Sequence, residues 1–94
     1  MAINYIRHHQ LVRAIKDCIK DGCTLAETLW VCGCRTPDTT VEELRRALQH
    51  VKFFNLEEAE KILPQWKKVM SRPDIVASRQ SFARAIKGLD DETN

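Results

Sequence analysis

The chain has 94 residues, of which 44% are hydrophobic and 30% are charged, and its formal net charge is +2. This length predicts a single domain with a modest core, and the composition argues against a disordered chain. The charge is too small to indicate nucleic-acid binding by itself, and no apolar run approaches the roughly 18 residues that a membrane-spanning helix needs.

A first helix is predicted over residues 2–21, because apolar residues recur there at spacings of three and four. This stripe consists of Leu11, Val12, Ile15, Cys18 and Ile19. Gly22 is a suitable C-terminal cap, because glycine adopts the left-handed conformation at little cost. A second, shorter helix is expected to open at Thr24, where Glu27 completes a capping box, and to end at Gly33.

The stretch from Thr39 to Trp66 predicts a pair of helices. Residues 34–39 form a connection, and a capping box of Thr40 and Glu43 then opens a helix. The apolar stripe of that helix is Val41, Leu44, Ala47, Leu48 and Val51. Asn55 repeats the start signal after Phe53 and Phe54. Two antiparallel helices joined by this short aromatic connection would form an αα-hairpin.

The segment after this pair leaves the number of helices open. Pro64 either kinks the fourth helix or begins a new one as its first residue. A last helix is predicted from Ser71 to Gly88. We therefore expect an all-α fold, a compact orthogonal array of five or six short helices in a single domain over residues 1–94. The acidic tail, residues 90–94, is expected to fray.

The predicted core consists of the apolar residues on these helical stripes. Its members are Leu11, Ile15, Ile19, Leu25, Leu29, Leu44, Leu48, Val51, Ile62, Trp66, Val69, Ile75, Phe82 and Ile86. The core is also the default location for both tryptophans, Trp30 and Trp66. In a chain this small, however, a tryptophan is often only partly covered, and an exposed one beside Met70 or Phe54 would anchor a partner.

The four cysteines follow the spacing C-x4-C-x8-C-x-C, which differs from the paired short spacings of zinc sites. Buried thiols that pack as small apolar side chains are the favoured interpretation. A metal site of Cys23, Cys32 and Cys34 and a Cys23–Cys34 disulfide are the two weaker alternatives. No signal-peptide core precedes the first helix, so we expect a cytoplasmic protein with reduced cysteines.

No recognisable catalytic motif accompanies the three histidines of the chain. The sequence contains no phosphate-binding glycine loop, no dinucleotide-binding motif and no metalloprotease helix. We therefore expect a protein that is not an enzyme and that needs no cofactor.

Residues 24–49 contain a short helix, a turn and an amphipathic helix, and this outline resembles DNA-binding helix-turn-helix regulators. The resemblance implies contacts to DNA from Arg35, Arg45, Arg46, His50 and Lys52. Two features oppose it: the turn from Gly33 to Thr40 is longer than usual, and the end that should meet DNA carries Glu42 and Glu43, which phosphate would repel.

The favoured function is that of a small accessory or regulatory protein, an adaptor or inhibitor, that docks a helical face on another protein and modulates its activity. The candidate partner-binding residues are Trp30, Phe54, Trp66 and Met70. A helix-turn-helix-like transcriptional regulator that uses residues 40–50 is the alternative, and a small metal- or thiol-dependent protein comes third. A membrane partner is not expected, and a homodimer remains open.

Overall fold

The computed structural model describes residues 5–71 together with Gln80, Phe82 and Arg84. Residues 5–71 form four helices: α1 Tyr5–Lys20, α2 Leu25–Arg35, α3 Val41–Val51 and α4 Leu56–Met70. This part of the chain contains no strand, which confirms the all-α prediction. The described residues thus hold four helices, not the expected five or six.

Of the expected fifth helix, from Ser71 to Gly88, only Ser71, Gln80, Phe82 and Arg84 are described. The last three are helical, whereas Ser71 is the C-cap of α4. The frayed tail predicted for residues 90–94 lies outside them altogether.

Pro64 lies inside α4 and does not divide it, so of the two alternatives left open at this proline, the start of a new helix is excluded. Proline lacks a backbone N–H, and the carbonyl of Glu60, four residues earlier, therefore loses its helical donor. Both residues are exposed, and water can solvate that carbonyl. The helix consequently continues through the proline.

Side chains cap the helices where the sequence predicts. Thr24 and Glu27 form both bonds of a capping box at the start of α2, and Thr40 and Glu43 form both bonds at the start of α3. Asn55 Oδ1 accepts from the first backbone N–H groups of α4. These bonds satisfy donors that a helix start leaves without an internal partner.

The two αL residues in the described part of the chain each follow a helix. Gly22 adopts φ +77° beyond α1, where the N–H of Cys23 donates to the carbonyl of Cys18 at 2.9 Å and the N–H of Gly22 donates to Ile19. These two bonds make a Schellman motif, as predicted for this glycine. Lys52, with φ 58°, ends α3 in the same conformation without being a glycine.

Helix α1 packs on α2 and α3, while α4 packs on α3 and α2. Arg7 donates to the Glu43 carboxylate near the start of α3 at 3.0 Å, whereas the adjacent His8 contacts His50 near the end of α3. Residues 43 and 50 are about 10 Å apart along a helix axis. Two neighbouring residues therefore reach both ends of α3, which indicates that α1 crosses α3 steeply.

The core lies between these four helices and includes Phe82. Most of the predicted core is buried: Leu11, Ile15, Leu25, Leu29, Leu44, Leu48, Trp66, Val69 and Phe82. Ile19, Val51 and Ile62 are partly buried beside it, and Ile75 and Ile86 lie outside the described residues. Two buried threonines, Thr28 and Thr39, were not predicted.

Candidate docking surface

The residues predicted as partner anchors face mainly inward. Trp66 is 1% exposed, and its Nε1–H donates to the carbonyl of Leu29 at 3.1 Å, which joins α4 to α2. Trp66 thus occupies the default core position and offers no surface to a partner. Trp30, Phe54 and Met70 are partly buried and pack against the core.

The Met70 side chain packs against the backbone of Gly33. The glycine is buried on α2, and a Cβ atom built there would collide with the Met70 side chain. Gly33 was expected to end α2, but α2 continues to Arg35, so the predicted end is wrong by two residues. Gly33 therefore allows the Met70 side chain of α4 to pack closely on α2, and it does not cap α2.

The large apolar side chains that are exposed lie elsewhere. Among the described residues they are Tyr5 at 68%, Ile6 at 74%, Phe53 at 61% and Leu56 at 38%. Sequence reasoning missed all four as candidate sites. Two features of the sequence could have indicated this exposure. Tyr5 lies off the predicted apolar stripe of the first helix, and only one of the two adjacent phenylalanines can fill the corner between the two helices that they connect. Phe54 fills it, while Phe53 packs edge-on against Phe54 with ring centroids 5.0 Å apart.

A pair of histidines connects the start of α1 to the end of α3. The rings of His8 and His50 meet edge to face, with centroids 5.3 Å apart and an interplanar angle of 85°. Tyr5 precedes His8 by three residues on one helix face, and Phe53 follows His50 by three residues, which is at most about 11 Å of chain. Each exposed aromatic residue is therefore three positions along the chain from one member of the imidazole pair.

Arg46 completes this surface. It lies one turn before His50 on α3, where residues four apart are neighbours, and it is exposed. We call Tyr5, His8, Arg46, His50 and Phe53 the imidazole surface. Arg46 and His50 are two of the residues predicted to contact DNA, and their position beside His8 is not evident from the sequence.

The described charged groups that act on His8 are all basic side chains. Partial burial and the charges of His50, His9 and Arg46 all lower the pKa of His8. Desolvation is the largest of these causes, because burial disfavours the charged imidazolium. At neutral pH this histidine is therefore uncharged, and Arg46 supplies the positive charge.

The other arginines predicted to contact DNA have acidic partners. Arg45 binds the carboxylates of both Glu42 and Glu60, and the Glu60 bond is 2.6 Å long. Arg35 lies 3.5 Å from Asp17 across α1 and α2. Of the predicted DNA-contacting residues, Arg46, His50 and Lys52 are exposed and form no ion pair within the described part of the chain.

The helices of the predicted helix-turn-helix unit do not form a closely packed pair. Helix α3 packs chiefly on α1 and α4, and α2 packs chiefly on α1 and α4 as well. In a helix-turn-helix unit the two helices are consecutive and support each other directly. The connection from Thr36 to Thr40 also contains the buried Thr39, whose Oγ1 has no hydrogen-bond partner in the described residues.

The four cysteines lie near the end of α1, in the connection that follows it, and on α2. Cys18 and Cys32 are buried, and burial raises the pKa of Cys32 to about 12. Cys34 is exposed on α2, Cys23 is partly exposed, and none of the four forms a disulfide. No group of three or more His, Cys, Asp or Glu side chains is gathered as for a metal ion within the described residues.

Comparison with protein-family models, with curated protein sequences and with solved structures gave no match to this chain. Among the described helices, none combines the length and apolar character needed to cross a membrane.

Proposed function

We propose that the protein is a non-enzymatic accessory protein that binds another protein through the imidazole surface and modulates its activity. The observation that carries the proposal is the exposure of Tyr5 and Phe53, each of which is three positions along the chain from one member of a contacting histidine pair. Most of the chain's large apolar side chains are buried or partly buried, so these two exposed rings are exceptions that a docked partner would cover.

The composition of this surface fits a protein partner. Tyrosine and arginine are enriched among the residues that dominate binding energy, and aromatic rings bury a large area while losing little rotamer freedom. Arg46, without a carboxylate partner in the described residues, is available for an acidic group at the edge of such an interface.

The test is affinity capture from a lysate of the source, with each sample divided into nuclease-treated and untreated halves. A Tyr5→Ala/Phe53→Ala double variant is expected to lose a stoichiometric protein partner that the unaltered chain retains after nuclease. Ile6→Ala is the matched control, because Ile6 is equally exposed but lies about 160° from His8 around α1. Equal capture by the double variant, or no stoichiometric partner at all, would overturn the proposal.

DNA binding through residues 40–50 remains the second candidate, and the exposure of Arg46 and His50 on α3 and of Lys52 directly after it favours this candidate. Partners that disappear with nuclease would support this candidate instead. Binding should then weaken steeply with salt, because bound cations release counterions from the phosphate backbone. Arg46→Gln should weaken it more than Arg45→Gln, since Arg45 is already bound to two carboxylates.

A further inference from the structure

Three potential cations converge at the crossing of α1 and α3. The rings of His8 and His50 are 5.3 Å apart, and Arg46 lies one helical turn from His50 on the same face of α3. His9 adds a fourth group, with its ring centroid 6.3 Å from that of His8. Groups of like charge are kept this close only while most of them are neutral or while an anion lies among them.

Within the described residues, no carboxylate offsets this cluster. Of the groups that act on His8, those on α3 are Arg46 and His50, the one on α1 is His9, and each of them opposes protonation. The nearest acids of α3 are used elsewhere: Glu43 binds Arg7, and Glu42 binds Arg45. The acidic side of α4 contributes Glu60, which also binds Arg45.

We propose that His8, His50 and Arg46 form a binding site for a tetrahedral oxyanion of the sulfate or phosphate class, which fills as the imidazoles take up protons. The guanidinium of Arg46 presents planar N–H donors that match two oxygens of such an anion, and each imidazolium adds a further N–H. The site goes beyond the proposed docking function, since it can bind an anion whether or not a partner protein is present.

Proton linkage gives the direction of the effect. Because the folded-state pKa of His8 is lowered, its contribution to stability is complete above the unfolded value of about 6.5 and is lost as the pH falls through the folded value. An anion between the cations raises the pKa of His8 and restores that stability. If one proton is taken up with the anion, affinity falls about tenfold for each pH unit above the pKa.

Sulfate is the appropriate probe, because it remains a dianion across the titration of histidine. The melting temperature is measured with sodium sulfate against sodium chloride of equal ionic strength, at about pH 5.5 and about pH 7.5. At the lower pH, sulfate at ten times its dissociation constant should raise Tm by roughly 5–10 °C. At the higher pH most of this rise should be absent.

Two variants separate site binding from the general stabilising effect that sulfate has on proteins. Arg46→Gln should abolish the pH-dependent part of the rise, whereas Arg13→Gln, which removes an exposed arginine from the opposite side of α1, should preserve it. The NMR signals of the His8 and His50 ring protons should move with sulfate in the unaltered chain and in Arg13→Gln. Equal behaviour of the two variants, or imidazole signals that do not respond to sulfate, would overturn the site.

The source of the oxyanion is decided in a separate arm at about pH 6, where inorganic phosphate is compared with a short peptide that carries one phosphoserine. Tighter binding of the peptide by about tenfold or more assigns the site to a phosphorylated partner segment, and equal binding assigns it to the free anion. The site fails if neither ligand shifts the ring protons. Because these measurements need no lysate partner, their failure is distinguishable from failure of the docking proposal.

Discussion

Two helix contacts in this molecule are built on different physical principles. Where α2 meets α4, Trp66 donates a buried hydrogen bond to Leu29, and Met70 lies over Gly33. Where α1 crosses α3, the rim of the contact consists of the Arg7–Glu43 ion pair and the His8–His50 pair. The first contact centres on a buried ring and a buried glycine, while the second consists of partly exposed ionisable side chains.

The two contacts differ in how much they contribute to the free energy of unfolding and in how strongly that contribution depends on pH. Burial of apolar groups supplies a stabilisation that scarcely depends on pH, and a close-packed contact tolerates little change in shape. Exposed ion pairs add little free energy but change with protonation and salt. We therefore expect substitutions at the α2–α4 contact to change the free energy of unfolding strongly, and substitutions at the α1–α3 rim to change mainly its dependence on pH.

The largest effect should come from Trp66. Trp66→Ala removes a ring that is almost fully buried and should lower the free energy of unfolding by about 3–5 kcal/mol. Trp66→Phe, which keeps an aromatic ring but removes the N–H, should lower it by about 1–2 kcal/mol. Urea denaturation followed by circular dichroism measures both. Trp30→Ala, at a partly buried ring, is the control, and an equal loss there would remove the special role given to Trp66.

An intermediate effect is expected at Gly33, and its size should depend on Met70. Gly33→Ala should change the free energy of unfolding by at most about 1 kcal/mol, because displacement of the flexible end of the Met70 side chain offsets the gain of about 1 kcal/mol in helix propensity. In a Met70→Ala background the crowding is removed, so the same substitution should stabilise. A double-mutant cycle in urea measures the coupling, and additive effects would show that the two residues do not compete for space.

The smallest effect should come from Glu43→Gln at the α1–α3 rim. Glutamine keeps the capping-box bond but loses the ion pair with Arg7, so the loss at neutral pH should be at most about 1 kcal/mol. Burial raises the pKa of Glu43, but the bonds from Thr40 and Arg7 outweigh it and lower the pKa overall.

This lowered pKa sets the direction of the pH dependence. Stability that depends on the ionised carboxylate is present above the unfolded value of 4.5 and is lost as the pH falls through the folded one. The unaltered chain should therefore lose its advantage over Glu43→Gln in acid. Glu42→Gln is the control, because Arg45 retains Glu60, and thermal melts between about pH 3 and pH 7 compare the two variants.

The helices of the described region were largely predictable, because their signals are local. Thr24 with Glu27 and Thr40 with Glu43 lie three residues apart, and Gly22 acts through its own backbone. Pro64 was not predictable in the same way. Whether a proline ends a helix depends on whether water or protein surrounds the carbonyl four residues earlier, and the sequence does not contain that information.

The candidate surface was less predictable, because it depends on contacts between distant residues. His8 and His50 are 42 positions apart and meet only because α1 crosses α3. Which of Phe53 and Phe54 would be covered depends on how the chain leaves the αL residue at Lys52. The exposure of the two tryptophans likewise follows from which side of each helix meets its neighbour, which a helical stripe indicates only approximately.

Lys52 has a consequence for how far the stability of this chain can be increased. Its φ is 58°, a conformation that costs a residue with a Cβ atom roughly 1–2 kcal/mol. In the turn after α1, the same conformation is adopted by a glycine, Gly22. Lys52→Gly would relieve that strain without disturbing the core, since the side chain is exposed. A single substitution in the turn between α3 and α4 should thus raise the free energy of unfolding, and the natural chain is not at its stability optimum there.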